Sequence, residues 1–139
     1  MNEPKVAICI PTYNRADSLE NCLNSIAIAS KHHIERFEVC VSDNGSSDKT
    51  SDVIENAKTF FDINHHKSDT NLGIPRNFLK VVSMAKAEFI WLIGDDDLLL
   101  PDTFDRLLPL LDENEDIDFF YLNSFHVDLS FINSKTHPF

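Results

Sequence analysis

Short apolar runs alternate along the chain with longer stretches in which apolar residues recur at helical spacing. The run from Val6 to Ile10 is wholly apolar and stops at Pro11, as is typical of a strand buried on both faces of a parallel sheet. Comparable runs predict three further strands, at Phe37–Ser42, Ile63–Lys67 and Glu88–Ile93. Each predicted strand is followed by a candidate helix.

Capping residues and apolar periodicity predict four helices. Their expected starts are Asp17, which forms a capping box with Glu20, then Ser46 or Ser47, then Ile74 just before Pro75, and finally Pro101. Their expected core-facing residues are, in order, Leu19, Cys22, Leu23 and Ile26; Val53, Ile54, Ala57 and Phe60; Ile74, Phe78, Val81, Val82 and Ala85; and Phe104, Leu107, Leu108 and Leu111. This β-α-β-α order predicts an α/β fold with a mostly parallel sheet flanked by helices.

The C-terminal residues show a different pattern. From Phe125 to Phe131 apolar and polar residues alternate, which is typical of a half-buried strand at the antiparallel edge of a sheet. No later segment is available to cover that strand. We therefore expect residues 1–139 to form one domain that is truncated relative to its complete fold, and the uncovered ribbon leaves pairing with a second copy open.

Composition excludes several classes of function. The formal net charge of −11 disfavours non-specific binding to nucleic acid or to an anionic membrane. The cysteines Cys9, Cys22 and Cys40 have no metal-ligand spacing and are expected to be reduced core residues, as in the cytoplasm. Neither a signal peptide nor a transmembrane segment is predicted, and peripheral attachment to the inner face of a membrane stays open.

Three polar loops follow predicted strands and should meet at one edge of the sheet, where open α/β sheets bind ligands. Pro11–Arg15 combines a rigid turn, an aromatic ring and a cation, and Ser42–Asp48 begins with a carboxylate after its strand. The third loop holds the consecutive carboxylates Asp95, Asp96 and Asp97. Such a cluster suits Mg²⁺ or Mn²⁺, which bind one or two carboxylates while substrate phosphates complete the shell.

Taken together, these loops resemble the family-2 glycosyltransferases, whose fold is called GT-A. The matching segments are Val6–Arg15, Ser42–Asp48, Asn71–Asn77 and Gly94–Asp97, with Pro101 four residues after the last aspartate. They run in the family's order and span most of this chain, but only the nucleotide-binding half of the family's catalytic domain. The resemblance implies a Rossmann-like GT-A fold and a site for a nucleotide-sugar donor.

The resemblance also assigns roles to individual positions. Pro11 would shape the nucleotide pocket and Thr12, Tyr13 and Arg15 would line it; Asp43 would bind the base, Arg76 the base or a phosphate, and Asp95 the ribose; Asp96 and Asp97 would hold the metal, with a donor-sugar contact as the alternative for Asp97. The family often has an aspartate where this chain has Gly94. This departure leaves the division of roles among the three carboxylates open.

The family chemistry implied for this chain is inverting, metal-assisted transfer of a sugar. A UDP-sugar is the expected donor, Mn²⁺ or Mg²⁺ the expected cofactor, and a hydroxyl on a glycan, lipid-linked or protein acceptor the expected nucleophile. Bacterial surface-polysaccharide synthesis is a common setting for such enzymes. The family's general base usually comes from the C-terminal half, so we expect this chain to hold the donor site alone.

Three alternatives compete with this interpretation. A binding-only or regulatory module of the same ancestry would bind sugar nucleotides without catalysing transfer. A receiver-type signalling domain has a similar length and an acidic pocket, but it needs paired acidic residues after the first strand, where this chain has Pro11–Asn14. A nucleotidyltransferase would need a glycine-rich basic loop early in the chain, and that loop is missing.

Overall fold

The computed structural model describes residues 3–126, which fold as four parallel strands and four α-helices. The strands are β1 (Val6–Thr12), β2 (Phe37–Asp43), β3 (Ile63–Lys67) and β4 (Phe89–Leu92), and the helices are α1 (Ala16–Ala29), α2 (Thr50–Ala57), α3 (Ile74–Ser83) and α4 (Thr103–Glu113). A 3₁₀ turn, Ile34–Arg36, precedes β2. The predicted strand–helix alternation is confirmed.

The sheet has the strand order β3-β2-β1-β4, and every described pair is parallel. Strand β1 is buried along its whole length, as its continuous apolar run predicts. Strand β4 pairs with β1, but its Ile90 and Leu92 are 48% and 41% exposed. The prediction of a buried strand there is therefore only half right, because one face of β4 is left open within the described residues.

Helices cover the two faces of the sheet unequally. On one face, α1, α2 and α4 pack their apolar stripes against β1 and β2 in the main core, and Phe104 of α4 lies fully buried with its ring centroid 5.0 Å from that of Phe37. The other face carries a small cluster of Ala7, Cys9, Cys40 and Val81 under α3. The three cysteines are buried and free, as predicted.

Several predicted helix boundaries and faces are wrong. Helix α2 starts at Thr50 rather than after Ser46 or Ser47, and Phe60 lies beyond its end with half of its surface exposed. In α3, Val81 is buried as predicted, but Ile74 and Phe78 are exposed, and the helix packs mainly against β1 and β2. Helix α4 starts at Thr103, two residues after Pro101, and its four predicted core residues are buried.

The predicted antiparallel strand from Phe125 to Phe131 falls largely outside the described residues. Phe125 and His126, which are described, belong to no strand. Within residues 3–126, no helix combines the length and apolar character that crossing a bilayer requires.

Candidate functional site

Strand register brings the predicted loops to one edge of the sheet. Thr12 pairs with Asp43 and Asp43 pairs with Lys67, so the last residues of β1, β2 and β3 lie side by side. The backbone N–H of Ile93 donates to the carbonyl of Cys9 at 3.1 Å, which carries the end of β4 to the same edge. The sequence-based prediction that these strand ends meet at one edge of the sheet is therefore confirmed.

A network of ion pairs joins the first loop to the acidic turn. The Thr12 hydroxyl donates to Asp95 Oδ2 at 2.8 Å, and Arg15 Nη1 lies 3.1 Å from Asp95 Oδ1. Arg15 Nη2 donates to Asp96 Oδ2 at 2.9 Å. These partners are at least 80 residues apart in sequence, so the fold itself creates the network.

Burial and charge oppose each other at Asp95. Its side chain is only 6% exposed, and this desolvation raises the pKa of the carboxyl, while the Thr12 hydrogen bond and the Arg15 charge act in the opposite direction. The hydrogen bond to Asp96 in turn raises the pKa of Arg15. Arg15 is thus the cation that balances two neighbouring carboxylates.

The side chains of Asp96 and Asp97 lie close to Gly94. Asp97 Oδ2 accepts the Gly94 backbone N–H at 2.7 Å. A Cβ on residue 94 would lie 2.7 Å from Asp96 Oδ1 and 3.3 Å from Asp97 Oδ2, so a larger residue would have to displace those side chains. The absence of a side chain at Gly94 therefore leaves space that both Asp96 Oδ1 and Asp97 Oδ2 border.

These residues fit a divalent cation of the Mg²⁺ or Mn²⁺ type, although they do not form a complete protein cage. Among residues 3–126, no group of three or more acidic, histidine or cysteine side chains converges as a ligand set. Two carboxylate oxygens beside Gly94 match the partial protein shell that such cations take when phosphates supply the remaining ligands. Asp96 and Asp97 are the residues that would hold the ion.

Asp43 carries the most unusual polar atom of the site. The side chain is fully buried, and its Oδ1 accepts the backbone N–H of Ser46 at 2.8 Å. Its Oδ2 has no hydrogen-bond partner among the described residues, and Lys67 Nζ lies 3.7 Å away. Buried polar atoms are nearly always satisfied, so Asp43 Oδ2 is an unusual acceptor, paired with the Lys67 charge but left without a hydrogen bond by the described residues.

The first two loops are held together by reciprocal hydrogen bonds. The Asn14 backbone N–H donates to Ser46 Oγ at 2.9 Å, and its side-chain Oδ1 accepts the Ser47 N–H at 2.8 Å. Asn14 adopts a left-handed φ of 51°, a conformation that asparagine tolerates better than most residues. Tyr13, its neighbour, keeps 42% of its surface exposed and can offer its ring to a planar base.

Helix α3 closes the site from the other face of the sheet through the buried side chain of Asn77. Its Nδ2 donates to the carbonyls of Ser42 at 3.0 Å and Thr12 at 3.4 Å, and its Oδ1 accepts the Ser42 hydroxyl at 2.7 Å. Arg76, the preceding residue, is exposed and makes no hydrogen bond or ion pair within the described part of the chain. Of the predicted site residues, Pro11, Tyr13 and Arg76 have side chains that take no part in the hydrogen bonds and ion pairs described here within residues 3–126.

Sequence reasoning missed Lys67, Asn77 and Asp48. Lys67 ends a short strand, and that position is the one signal that could have placed it beside Asp43. Asn77 lies within a segment used for the resemblance, but its role depends on contacts with two other strands. Asp48 replaces the predicted capping box, because α1 begins at Ala16 with no cap from its own side chains, and Asp48 Oδ2 accepts the Ala16 N–H at 3.0 Å.

Asp48 serves two helices at once, which gives a stability prediction. Its Oδ1 also accepts the backbone N–H and hydroxyl of Thr50, and these bonds lower the pKa of Asp48. Asp48→Ala should destabilise the fold by about 1 kcal/mol, the typical cost of a lost N-cap. Because the folded pKa lies below the ordinary 3.8, the native advantage should shrink as pH falls below that value.

Urea unfolding at neutral and acidic pH measures the Asp48 effect. The control is Asp52→Ala, which removes an exposed carboxylate from the first turn of α2. Equal stability losses in the two variants at neutral pH would contradict a capping role for Asp48.

Comparison with known proteins decides the family. The model of "Glycosyl transferase family 2" matches residues 7–134. The chain belongs to glycosyl transferase family 2. The predicted resemblance is therefore confirmed, and the receiver-type and nucleotidyltransferase alternatives are wrong.

Relatives and solved structures agree with the family assignment. The abequosyltransferase RfbV of Salmonella typhimurium is 40% identical over 114 residues, which are 81% of this chain and 34% of that protein. A beta-1,3-glucosyltransferase of Campylobacter jejuni, whose name specifies a GalNAc(5)-diNAcBac-PP-undecaprenol substrate, is 31% identical over 79% of this chain and 35% of that protein. This family-2 chain thus spans about a third of the length of these curated relatives.

The crystal structure of Staphylococcus aureus TarS 1-349 in complex with UDP has the same fold. It superposes with a TM-score of 0.75 at 26% identity, over 94% of this chain and 40% of that chain. The expected α/β GT-A architecture of this family-2 chain is confirmed by that similarity.

Proposed function

We propose that this chain binds the nucleoside diphosphate part of a sugar donor, with UDP-sugar as the expected donor, and serves glycosyl transfer in the whole protein. The observation that carries the proposal is the fully buried Asp43 Oδ2 at the edge where three loops meet, which has no hydrogen-bond partner among residues 3–126 and only the Lys67 charge 3.7 Å away. A carboxylate oxygen is an acceptor only, so it suits an N–H on the edge of a base. The UDP-bound TarS neighbour supports this choice of ligand.

The remaining contacts suggest how the residues would divide the work. Asp43 would accept from the base, the exposed ring of Tyr13 would stack on it, and Thr12 would hold Asp95 in place for the ribose. Arg15 and Arg76 would neutralise the diphosphate through bidentate hydrogen bonds. Pro11, buried at the end of β1, would shape the pocket between them.

Asp96 and Asp97 are proposed to hold Mg²⁺ or Mn²⁺. Such a cation, when bound, stabilises the negative charge that develops on a leaving diphosphate. The protein's own contribution there is to fix the two carboxylates beside Gly94 and to place Arg15 at the same edge. Three statements stay predictions for this chain: that the reaction inverts the anomeric carbon, the alternative that the chain only binds sugar nucleotides, and that the chain holds the donor site but not the general base.

The acceptor is proposed to be a hydroxyl on a glycan or lipid-linked saccharide. The names of the abequosyltransferase and of the undecaprenol-linked glucosyltransferase support this class. Five further properties stay predictions: a cytoplasmic location, attachment at the inner face of a membrane, a homodimer, absence of nucleic-acid binding and the single-domain assignment.

Thermal unfolding with UDP tests the donor site. Ligand at about 100 times its Kd stabilises the folded state by about 2.7 kcal/mol, so UDP with Mn²⁺ should raise the unfolding temperature by about 5–10 °C. Asp96→Ala should remove the part of the shift that depends on Mn²⁺, since the exposed Asp96 carboxylate is a proposed ligand. Asp116→Ala, at an exposed aspartate after α4, is the matched control.

Two results of this unfolding experiment would overturn the proposal. If UDP, other nucleoside diphosphates and their Mn²⁺ complexes all leave the unfolding temperature unchanged, this chain does not form a donor site. A shift that survives both Asp43→Asn and Asp96→Ala would place the nucleotide elsewhere.

A further inference from the structure

Arg15 pairs with a carboxylate that is also a proposed ligand of the divalent cation in the donor site. Its guanidinium contacts Asp95 Oδ1 at 3.1 Å and Asp96 Oδ2 at 2.9 Å. Asp96 is also a proposed cation ligand, and one of its two oxygens is therefore already taken by a positive charge from the protein. A divalent cation approaching Asp96 would meet both the repulsion of Arg15 and the loss of this charge-assisted bond.

The two partners of Arg15 differ in how firmly they are held. The Asp95 side chain is 6% exposed and its second oxygen accepts from Thr12 at 2.8 Å. Asp96 is 58% exposed, and among residues 3–126 its only side-chain hydrogen bond is the one from Arg15. Asp95 is thus anchored, whereas the orientation of Asp96 depends on Arg15.

The backbone of Arg15 is fixed by the fold, whereas its side chain lies at the surface and is held only by its two ion pairs among the described residues. Its carbonyl accepts the Leu19 N–H at 3.0 Å at the start of α1, which fixes the main chain. The side chain is 47% exposed, so the guanidinium can turn without disturbing the core. A diphosphate offers the planar fork of arginine a stronger bidentate partner than a solvated carboxylate does.

We propose that Arg15 is the built-in counter-ion of the acidic turn, and that it makes cation binding conditional on the nucleotide. Before a donor binds, Arg15 balances Asp95 and Asp96 and weakens their attraction for a divalent cation. When the diphosphate arrives, Arg15 transfers to a phosphate and frees Asp96 for the cation. This inference rests on the proposed function, and it adds the order in which the charges exchange partners.

Linkage gives the inference a measurable form. If the nucleotide frees Asp96, then UDP must raise the affinity for Mn²⁺, and Mn²⁺ must raise the affinity for UDP by the same factor. Part of that factor comes from direct contact between cation and phosphate. The contribution of Arg15 can be measured separately from that contact, because Arg15 also affects the binding of Mn²⁺ in the absence of UDP.

The test is a titration of the full chain with Mn²⁺ alone, in which electron paramagnetic resonance measures the free ion. Arg15→Met keeps the aliphatic stem but removes the charge, and it should tighten Mn²⁺ binding by about tenfold, since a unit charge a few ångströms from the ion is lost. Arg15→Lys keeps the charge and should bind Mn²⁺ as weakly as the native chain. UDP should bind Arg15→Met more weakly than it binds the native chain.

Arg36→Met is the matched control. Arg36 also pairs with a carboxylate through its guanidinium, at 2.7 and 2.9 Å to Asp112, with a similar exposure of 43%. Asp112 lies on α4, away from the acidic turn. Arg36→Met should leave Mn²⁺ affinity unchanged, and the unfolding temperatures of both methionine variants without ligand should be similar.

Unchanged or weaker binding of Mn²⁺ alone by Arg15→Met would overturn the counter-ion role. If the native chain still binds UDP with Mn²⁺ in that case, the proposed function stands and only this inference fails. If no variant binds UDP, the proposed function fails, and a tighter Mn²⁺ site in Arg15→Met would still support Arg15 as counter-ion of the acidic turn.

Discussion

Replacing Asp43 with asparagine is expected to weaken UDP binding by about 100-fold while leaving the fold intact. The amide keeps the oxygen that accepts from Ser46 N–H, but it puts an NH₂ group in place of Oδ2, which has no hydrogen-bond partner among the described residues. A base N–H would then meet a donor instead of an acceptor. Losing a charge-assisted hydrogen bond and leaving two donors opposed costs about 3 kcal/mol.

The Asp43→Asn variant should keep nearly the native unfolding temperature although it binds UDP more weakly. Neutralising Asp43 removes its ion pair with Lys67 at 3.7 Å but also removes the cost of burying a charge. Because these effects oppose each other, the unfolding temperature should change by no more than about 2 °C. Calorimetric titration with UDP and Mn²⁺ measures the affinity, and Asp116→Asn serves as control. Native affinity in Asp43→Asn would contradict a role for Asp43 in binding the base.

Asn77→Leu is expected to destabilise the protein by about 3 kcal/mol, equivalent to about 10 °C in unfolding temperature. Leucine has the same branched skeleton as asparagine, but it cannot replace the bonds to the carbonyls of Thr12 and Ser42 or the bond from the Ser42 hydroxyl. The fully buried Ser42 side chain would lose its partner without gaining water. Buried polar groups left unpaired are among the few causes of such large effects.

Urea unfolding measures the Asn77 effect, and Asn56→Leu, at an exposed position of α2, provides the control. The control should stay within about 0.5 kcal/mol of the native chain. An Asn77→Leu protein as stable as that control would show that α3 packs on the sheet without this amide.

The architecture could be predicted because its signals are local or follow from parallel topology. The continuous apolar run of β1 indicates burial on both faces, and parallel strands place their carboxyl ends at the same edge. Thr12, Asp43 and Asp95 could therefore be assigned to one edge before their contacts were known. The acidic turn was recognisable because it follows a strand directly.

What sequence could not predict depends on contacts between distant segments. The capping of α1 by Asp48 spans 32 residues, and a local capping box at Asp17 was the simpler prediction. The pairing of Arg15 with Asp95 and Asp96 spans about 80 residues, and no spacing rule reports it. Phe60 matched helical periodicity but falls past the end of α2, because apolar spacing does not mark where a short helix stops.

The exposed face of β4 shows a further limit of periodicity. A run of apolar residues predicts burial on both faces, yet whether Ile90 and Leu92 are covered depends on what packs beside β4. Helix α3 makes its main contacts with β1 and β2. Strand β4 is therefore apolar on both faces, but within residues 3–126 only one of its faces is covered.

The most direct test of the donor site is to locate bound UDP by nuclear magnetic resonance of the ¹⁵N-labelled chain. Paramagnetic Mn²⁺ with UDP broadens the amide signals of nearby residues. Broadening should centre on residues 12–15, 43–47 and 94–97 and spare the opposite end of the sheet around Lys5, Arg36 and Asp112. Broadening centred on that opposite end, or none at saturating UDP and Mn²⁺, would contradict a nucleotide-sugar site at the carboxyl ends of the strands.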